Sequence, residues 1–147
     1  MKNIILYMLI VLDFEEFLSL SNFMETWRVF KFVKANGRCP YDEWLDSKEI
    51  TENDIAAVEA KIAVIQMVSG RLPPETLKKL KGHELKELKI RGDKKQLRPL
   101  CVVAQDKKII ILCGAIEKGS RLPKGDLERG KNLATEWERD EGSIEEV

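Results

Sequence analysis

The chain predicts an α+β domain on three observations: period-two segments crowded between Leu85 and Glu117, one long apolar stripe between Thr51 and Gly70, and an aromatic, β-branched run beginning near Thr26. The expected architecture is a small, mainly antiparallel sheet with an N-terminal strand, two helices packed on one face and a C-terminal helix.

The sheet is clearest in LKELKIRGDKKQLRPLCVVAQDKKIIILCGAIEK. It reads as three strands, Leu85–Arg91, Gln96–Ala104 and Lys108–Glu117, joined by the turn-forming runs Gly92-Asp93-Lys94-Lys95 and Gln105-Asp106-Lys107. In the first strand Leu88 and Ile90 fall on one side while Glu87, Lys89 and Arg91 fall on the other, because successive side chains point to opposite faces. The last strand is apolar on both faces, as befits the middle of a sheet. A cationic open face is therefore expected opposite the greasy one. Pro99 removes a ladder donor and predicts a bulge or an edge beside Arg98.

Upstream, Thr26–Ala35 alternates Trp27, Val29, Lys31 and Val33 against Arg28, Phe30 and Phe32, a strand that Asn36-Gly37 ends. Pro40 opens a short helix over Tyr41–Leu45, with Asp42 and Glu43 where the helix dipole favours acids. Thr51 and Asp54 have the spacing of a capping box, and Ile55, Val58, Ile62 and Ile65 make one buried stripe down to Ser69-Gly70. Pro73-Pro74 break the chain, and Glu75–Leu80 reads as one further helical turn. After the sheet, Pro123, Asp126, Leu127, Leu133 and Trp137 mark a terminal helix to about Glu138, followed by an acidic tail expected to fray.

The chain is 147 residues long, enough for one domain with a core that needs no disulfide or metal. Its formal charge is zero, with 25 basic and 25 acidic residues, but the signs are segregated. Residues 78–131 hold 16 basic and 7 acidic groups, whereas residues 1–70 hold 7 and 11. Local rather than net charge attracts phosphates, so the basic segment is the candidate nucleic-acid surface. Cys39, Cys101 and Cys113 have no C-x-x-C spacing, which argues against a zinc knuckle or a secreted disulfide framework and fits a reduced cytoplasmic location. The apolar run Ile4–Leu12 is too short for a membrane span, and Asp13, Glu15 and Glu16 follow it where no cleavage site appears. The expected division is an N-terminal extension over 1–24, one domain over 25–139 and the tail over 140–147.

Three blocks in this order, WRVFKFVKANGRCPYDEWLDS, LKGHELKELKIRGDKKQLRPLCVV and IIILCGAIEKGSRLPKGDLERGKN, resemble the RelE/ParE superfamily of bacterial toxins, in particular its HigB-like branch with phage-derived relatives. The resemblance spans about Thr26 to Asn132. It implies a RelE-like fold and the toxin of a type II toxin–antitoxin pair, expected to be a metal-independent, ribosome-dependent endoribonuclease (an mRNA interferase) needing no cofactor. The alternative is a toxin without chemistry of its own, ParE-like and gyrase-directed, or an inactive relic. The implied partners are a cognate antitoxin, expected as a small helix-turn-helix protein, and messenger RNA on the ribosome, with no membrane involved. Where the branch usually reads LHGFVKK, this chain has Leu112-Cys113-Gly114-Ala115-Ile116-Glu117-Lys118, so histidine, aromatic and lysine give way to Cys113, Ala115 and Glu117.

The same resemblance assigns the phosphate-holding groups to Arg98 and Lys118, with Lys89 and Arg91 on the preceding strand. Attack by a 2′-oxygen builds charge on the phosphoryl oxygens, which fixed cations would stabilise. His83, the only histidine, is the conventional acid–base candidate, and Glu117 reads as a general base or, more simply, an ion-pair partner. Lys86, Lys94, Lys95, Arg121 and Lys124 complete the expected RNA-binding set. The expectation is demanding, since it needs these cations on one exposed patch with Arg98 unoccupied.

Overall fold

The computed structural model describes Asp13, Glu15, Glu16 and residues 25–80, 82 and 84–147. Most of the extension expected over 1–24, and His83, lie outside the described residues. The elements run β1 (Arg28–Lys34), α1 (Pro40–Leu45), α2 (Glu52–Ile65), β2 (Leu77–Lys79), β3 (Lys86–Leu88), β4 (Ile90–Arg91), β5 (Gln96–Ala104), β6 (Lys108–Glu117), α3 (Lys124–Glu138) and β7 (Gly142–Glu146). The α+β class holds. One sheet takes the order β2-β3-β5-β6-β1-β7, with β4 beside β5. Among the described residues only β1 and β6 pair in parallel, Val29 opposite Ile109 and Lys31 opposite Ile111.

Local chemistry explains the first helices. Pro40 sits in the first turn of α1, where a missing N–H is harmless. The capping box of α2 is complete: Asp54 N donates to Thr51 Oγ1 at 3.2 Å and Thr51 N donates to Asp54 Oδ2 at 2.9 Å. Val58, Ile62 and Ile65 of α2 and Tyr41 of α1 then pack on Val29, Leu88, Ile90, Leu97, Cys101, Ile109 and Ile111. Burial of side chains this size stabilises by about 1.5–3 kcal/mol each.

The opposite face is covered too, which corrects the expected open face. Leu133 and Ala134 of α3 lie over Phe30, Phe32, Leu100, Val102, Ile110, Leu112 and Cys113. Alternation along β6 thus feeds two cores, and Ile109 to Leu112 are all essentially inaccessible. Only the end of the sheet beyond α3 remains polar.

Three segments differ from expectation. Residues 77–79 form a strand, with Leu77 opposite Leu88, where a helical turn was expected; the pairing partner overrides a weak local preference. The acidic tail does not fray. It forms β7 against β1, with Ile144 opposite Phe32 and packed on the second core, and an Arg28–Glu146 ion pair. The first meander strand is split into β3 and β4. The pairs Glu87–Leu100 and Ile90–Leu97 share one register that would set Leu88 opposite Pro99 and Lys89 opposite Arg98, and those two rungs are missing. Pro99 has no N–H to give them. The bulge expected near Pro99 lies one step on, where Leu100 faces Cys113 and Cys101 faces Ile111, leaving Leu112 as the extra residue.

Candidate nucleic-acid interface

The polar end of the sheet can be read rung by rung, because residues directly opposite share a face. Lys78 of β2 is opposite Glu87 of β3, Glu87 is opposite Leu100, Arg98 is opposite Ala115, and Gln96 lies between Arg91 and Glu117. Strand alternation puts Lys89 and Arg91 on the face of Glu87, and both are exposed. Lys78, Glu87, Lys89, Arg91, Arg98 and Glu117 therefore share the α3 face at the end that α3 leaves uncovered.

At the centre is an ion-pair cluster. Arg98 Nη2 donates to Glu117 Oε2 at 2.6 Å, its Nη1 donates to the Leu97 carbonyl at 2.9 Å, and its Nε lies 3.9 Å from Glu87 Oε1. The Arg98 side chain is 9% exposed and that of Glu87 6%, but Glu117 keeps 23%. Over the cluster opens a cavity of about 220 Å³ lined by Glu87, Glu117, Lys78, Ser120, Arg121 and Leu127. Arg98 is thus no unoccupied clamp: two carboxylates compensate its charge, and the carboxylate that faces solvent is Glu117.

Ser120 and Arg121 reach this cavity through a tight turn. Lys118 and Arg121 exchange backbone hydrogen bonds at 2.8 and 3.1 Å around Gly119 and Ser120, whose φ values are +56° and +65°. Two successive left-handed residues make a reversal whose twist suits a strand end, which glycine adopts freely and serine only under constraint. Arg121 faces the charged end, whereas Lys118 lines a second cleft with Trp44 and Arg129.

The remaining expected residues scatter. Lys86 is opposite Cys101, whose side chain belongs to the α2 core, so it points to the other face. Lys95 is committed to architecture, its Nζ 2.8 Å from Asp54 Oδ2 and 2.6 Å from the Glu49 carbonyl. Lys94, at φ +57°, caps the exposed β4–β5 turn, and Lys124 begins α3 in solvent. The structure gathers Arg98, Lys89, Arg91 and Arg121, and separates Lys118, Lys86, Lys94, Lys95 and Lys124 from them. Lys78, Ser120 and Glu87 are lining residues the sequence reading missed. A strand over 77–79 would have revealed Lys78; nothing in the sequence announces the turn at Ser120.

Burial pushes the thiols of Cys101 and Cys113 up to about 12, so neither is a nucleophile near neutrality. Among the described residues no group of three or more His, Cys, Asp or Glu gathers as for a metal ion, and no helix is long and apolar enough to cross a membrane.

Comparison with curated proteins finds no match. The model of the family described as Phage derived protein Gp49-like (DUF891) matches residues 43–135. That stretch runs from α1 through most of α3, including the cluster and its cavity, and it is more than half of the chain. The protein therefore belongs to the Gp49-like family of phage-derived proteins.

Proposed function

We propose that this protein is the toxin of a type II toxin–antitoxin pair and that it cleaves messenger RNA without a metal at the uncovered end of the sheet. One observation carries the reading: a partly exposed carboxylate, Glu117, is gripped by a buried guanidinium and shares its cavity with Lys78 and Arg121, while Lys89 and Arg91 lie on the same face of the sheet. In-line attack by a 2′-hydroxyl closes a 2′,3′-cyclic phosphate as the bond to the 5′-oxygen breaks; it needs a base for the 2′ proton, a proton from solvent water for the departing 5′-oxygen, and positive charge around the phosphoryl oxygens. Glu117 supplies the base. These cations supply the positive charge, and Arg98 fixes the carboxylate while adding its own field from below. His83 lies outside the described residues, and the proposal does not depend on it.

Induced expression tests this. Growth arrest with loss of messenger is expected, and Glu117→Gln, which keeps shape and one hydrogen bond to Arg98, should abolish cleavage while leaving the circular dichroism spectrum intact. Harmless induction would remove the toxin reading. Arrest with intact messenger would remove cleavage alone.

One observation favours a second reading, a toxin that binds its target, gyrase or another, without chemistry. Arg98, the cation the resemblance makes central, is already neutralised by Glu87 and Glu117. DNA-damage signalling with messenger intact would identify that case. Either reading carries a cognate antitoxin as the expected partner.

A further inference from the structure

The second cleft sits on an unfinished stretch of sheet edge. Gly92 N donates to the Lys95 carbonyl at 2.9 Å, which makes Ile90–Leu97 a mutually bonded pair and turns Leu97, Pro99 and Cys101 toward β3 and β4. Gln96, Arg98 and Leu100 then face β6, so their opposites Glu117, Ala115 and Cys113 face β5. Gly114 and Ile116 consequently direct N–H and C=O the other way. There β1 stops pairing at Ile111, the returning chain pairs once through Lys118 and Arg121, and the residue that would next reach Ile116 is Pro123, which has no N–H. Among the described residues nothing bonds the Gly114 or Ile116 backbone on that side.

These two residues line a cleft of about 300 Å³ with Trp44, Lys118, Pro123 and Arg129. Its floor is fixed by close contact: a Cβ at Gly114 would fall inside the Trp44 ring, so the indole lies directly on the strand. Lys118 and Arg129 form no ion pair within 4 Å among the described residues. The cleft and the charged end lie on either side of the Lys118–Arg121 turn, Lys118 lining the first and Arg121 the second.

We propose that this cleft is a nucleobase subsite, in which the base of an RNA nucleotide meets the free N–H and C=O of Ile116 against Trp44 while Lys118 and Arg129 hold its flanking phosphate. A strand-edge residue offers a donor and an acceptor side by side, the pattern that base edges match, and an indole gives the apolar surface bases prefer. Glu43, Glu49 and Asp126 also line the cleft and repel phosphate, and so favour the neutral base inside it. A peptide adding to the edge would need a longer free run than Gly114 and Ile116. The inference rests on the nucleic-acid reading above and adds the element that would set sequence preference, since base contacts specify where phosphate contacts only position.

Binding is measured without cleavage, so the two readings fail separately. Guanosine and adenosine 5′-monophosphates are titrated into the isotope-labelled full chain while amide resonances are followed. Shifts at Gly114 and Ile116, with slowed exchange of the Ile116 amide, are expected. Trp44→Leu should weaken binding roughly five- to hundredfold, the range for removing one base–aromatic contact. Arg129→Glu, at an exposed helix position, tests the same cleft if the leucine variant does not fold, and should weaken binding at least tenfold while leaving the spectrum elsewhere unchanged. No shift at millimolar nucleotide, shifts confined to the Arg121 cavity, or identical binding by Arg129→Glu would each overturn the subsite. So would an alternating valine–glutamate hexapeptide that moves the Gly114 and Ile116 amides where nucleotides do not.

Discussion

Two ion-pair clusters flank the β4–β5 turn, and they are built to different specifications. On the α2 face Asp54 is fully buried and saturated, accepting from Thr51 N, Asp93 N and Lys95 Nζ, with the Thr51 hydroxyl returning the cap. On the α3 face Arg98 is nearly as buried, but its nearer carboxylate, Glu117, opens on a cavity. A saturated buried charge has nothing left to offer a ligand, and its role is to tie α2 to the hairpin. A charge with one exposed partner can exchange that partner or lend it to a reaction. Buried pairs are weak evidence of stability as such, but removing one member is costly.

The largest expected effect lies on the saturated side. Asp54→Ala strands Lys95, leaves the Asp93 N–H unpaired and uncaps α2, and should cost about 3–4 kcal/mol in a denaturant titration. Retention of wild-type stability would show that the cluster does not tie helix to hairpin. Arg98→Met should cost about 2–3 kcal/mol by leaving Glu87 buried without its cation. The pair Glu87→Gln with Arg98→Met should recover much of that stability while messenger cleavage stays lost, which separates packing from chemistry. Glu117→Gln should change stability by less than about 1 kcal/mol, since its side chain is partly solvated, yet abolish cleavage. If it cost as much as Asp54→Ala, the two clusters would be alike and the contrast would fail.

Acid sharpens the comparison further. Burial alone would raise the Asp54 carboxyl, but the Lys95 ammonium and the donors from Thr51 and Asp93 outweigh it and hold the group well below the usual carboxylate range. A carboxyl depressed in the folded state contributes stability that is complete above its unfolded value near ~4 and is lost progressively as pH falls below it. Wild-type protein should thus lose stability below about pH 4 more steeply than Asp54→Asn does. The smallest effect belongs to Lys94→Ala, in the exposed turn, expected within about 0.5 kcal/mol.

Much of the frame was legible because its causes are local. The Thr51–Asp54 cap, the proline opening α1 and the period-two alternation of β5 and β6 need only a few neighbouring residues to be recognised. The segments misread are those whose structure is supplied from afar. Leu77 to Lys79 are a strand because β3 lies alongside, and the acidic 142–146 segment is ordered because β1 presents Phe32 to Ile144 and Arg28 to Glu146. The same holds for the site. That Arg98 carries charge is written in the chain; that Glu87 and Glu117, 11 positions before and 19 after it, consume that charge depends on register across three strands. Lys95 likewise reads as one more surface cation until Asp54 is seen beneath it.

Pro99 leaves a weak seam in an otherwise tightly laced inner sheet, because the Leu88 carbonyl that faces it finds no N–H there, directly beside the buried guanidinium. Opening of the strand pair should be easiest there, so the amides of Leu88 and Ile90, on either side of the missing bond, should exchange faster than those of the unbroken β5–β6 rungs.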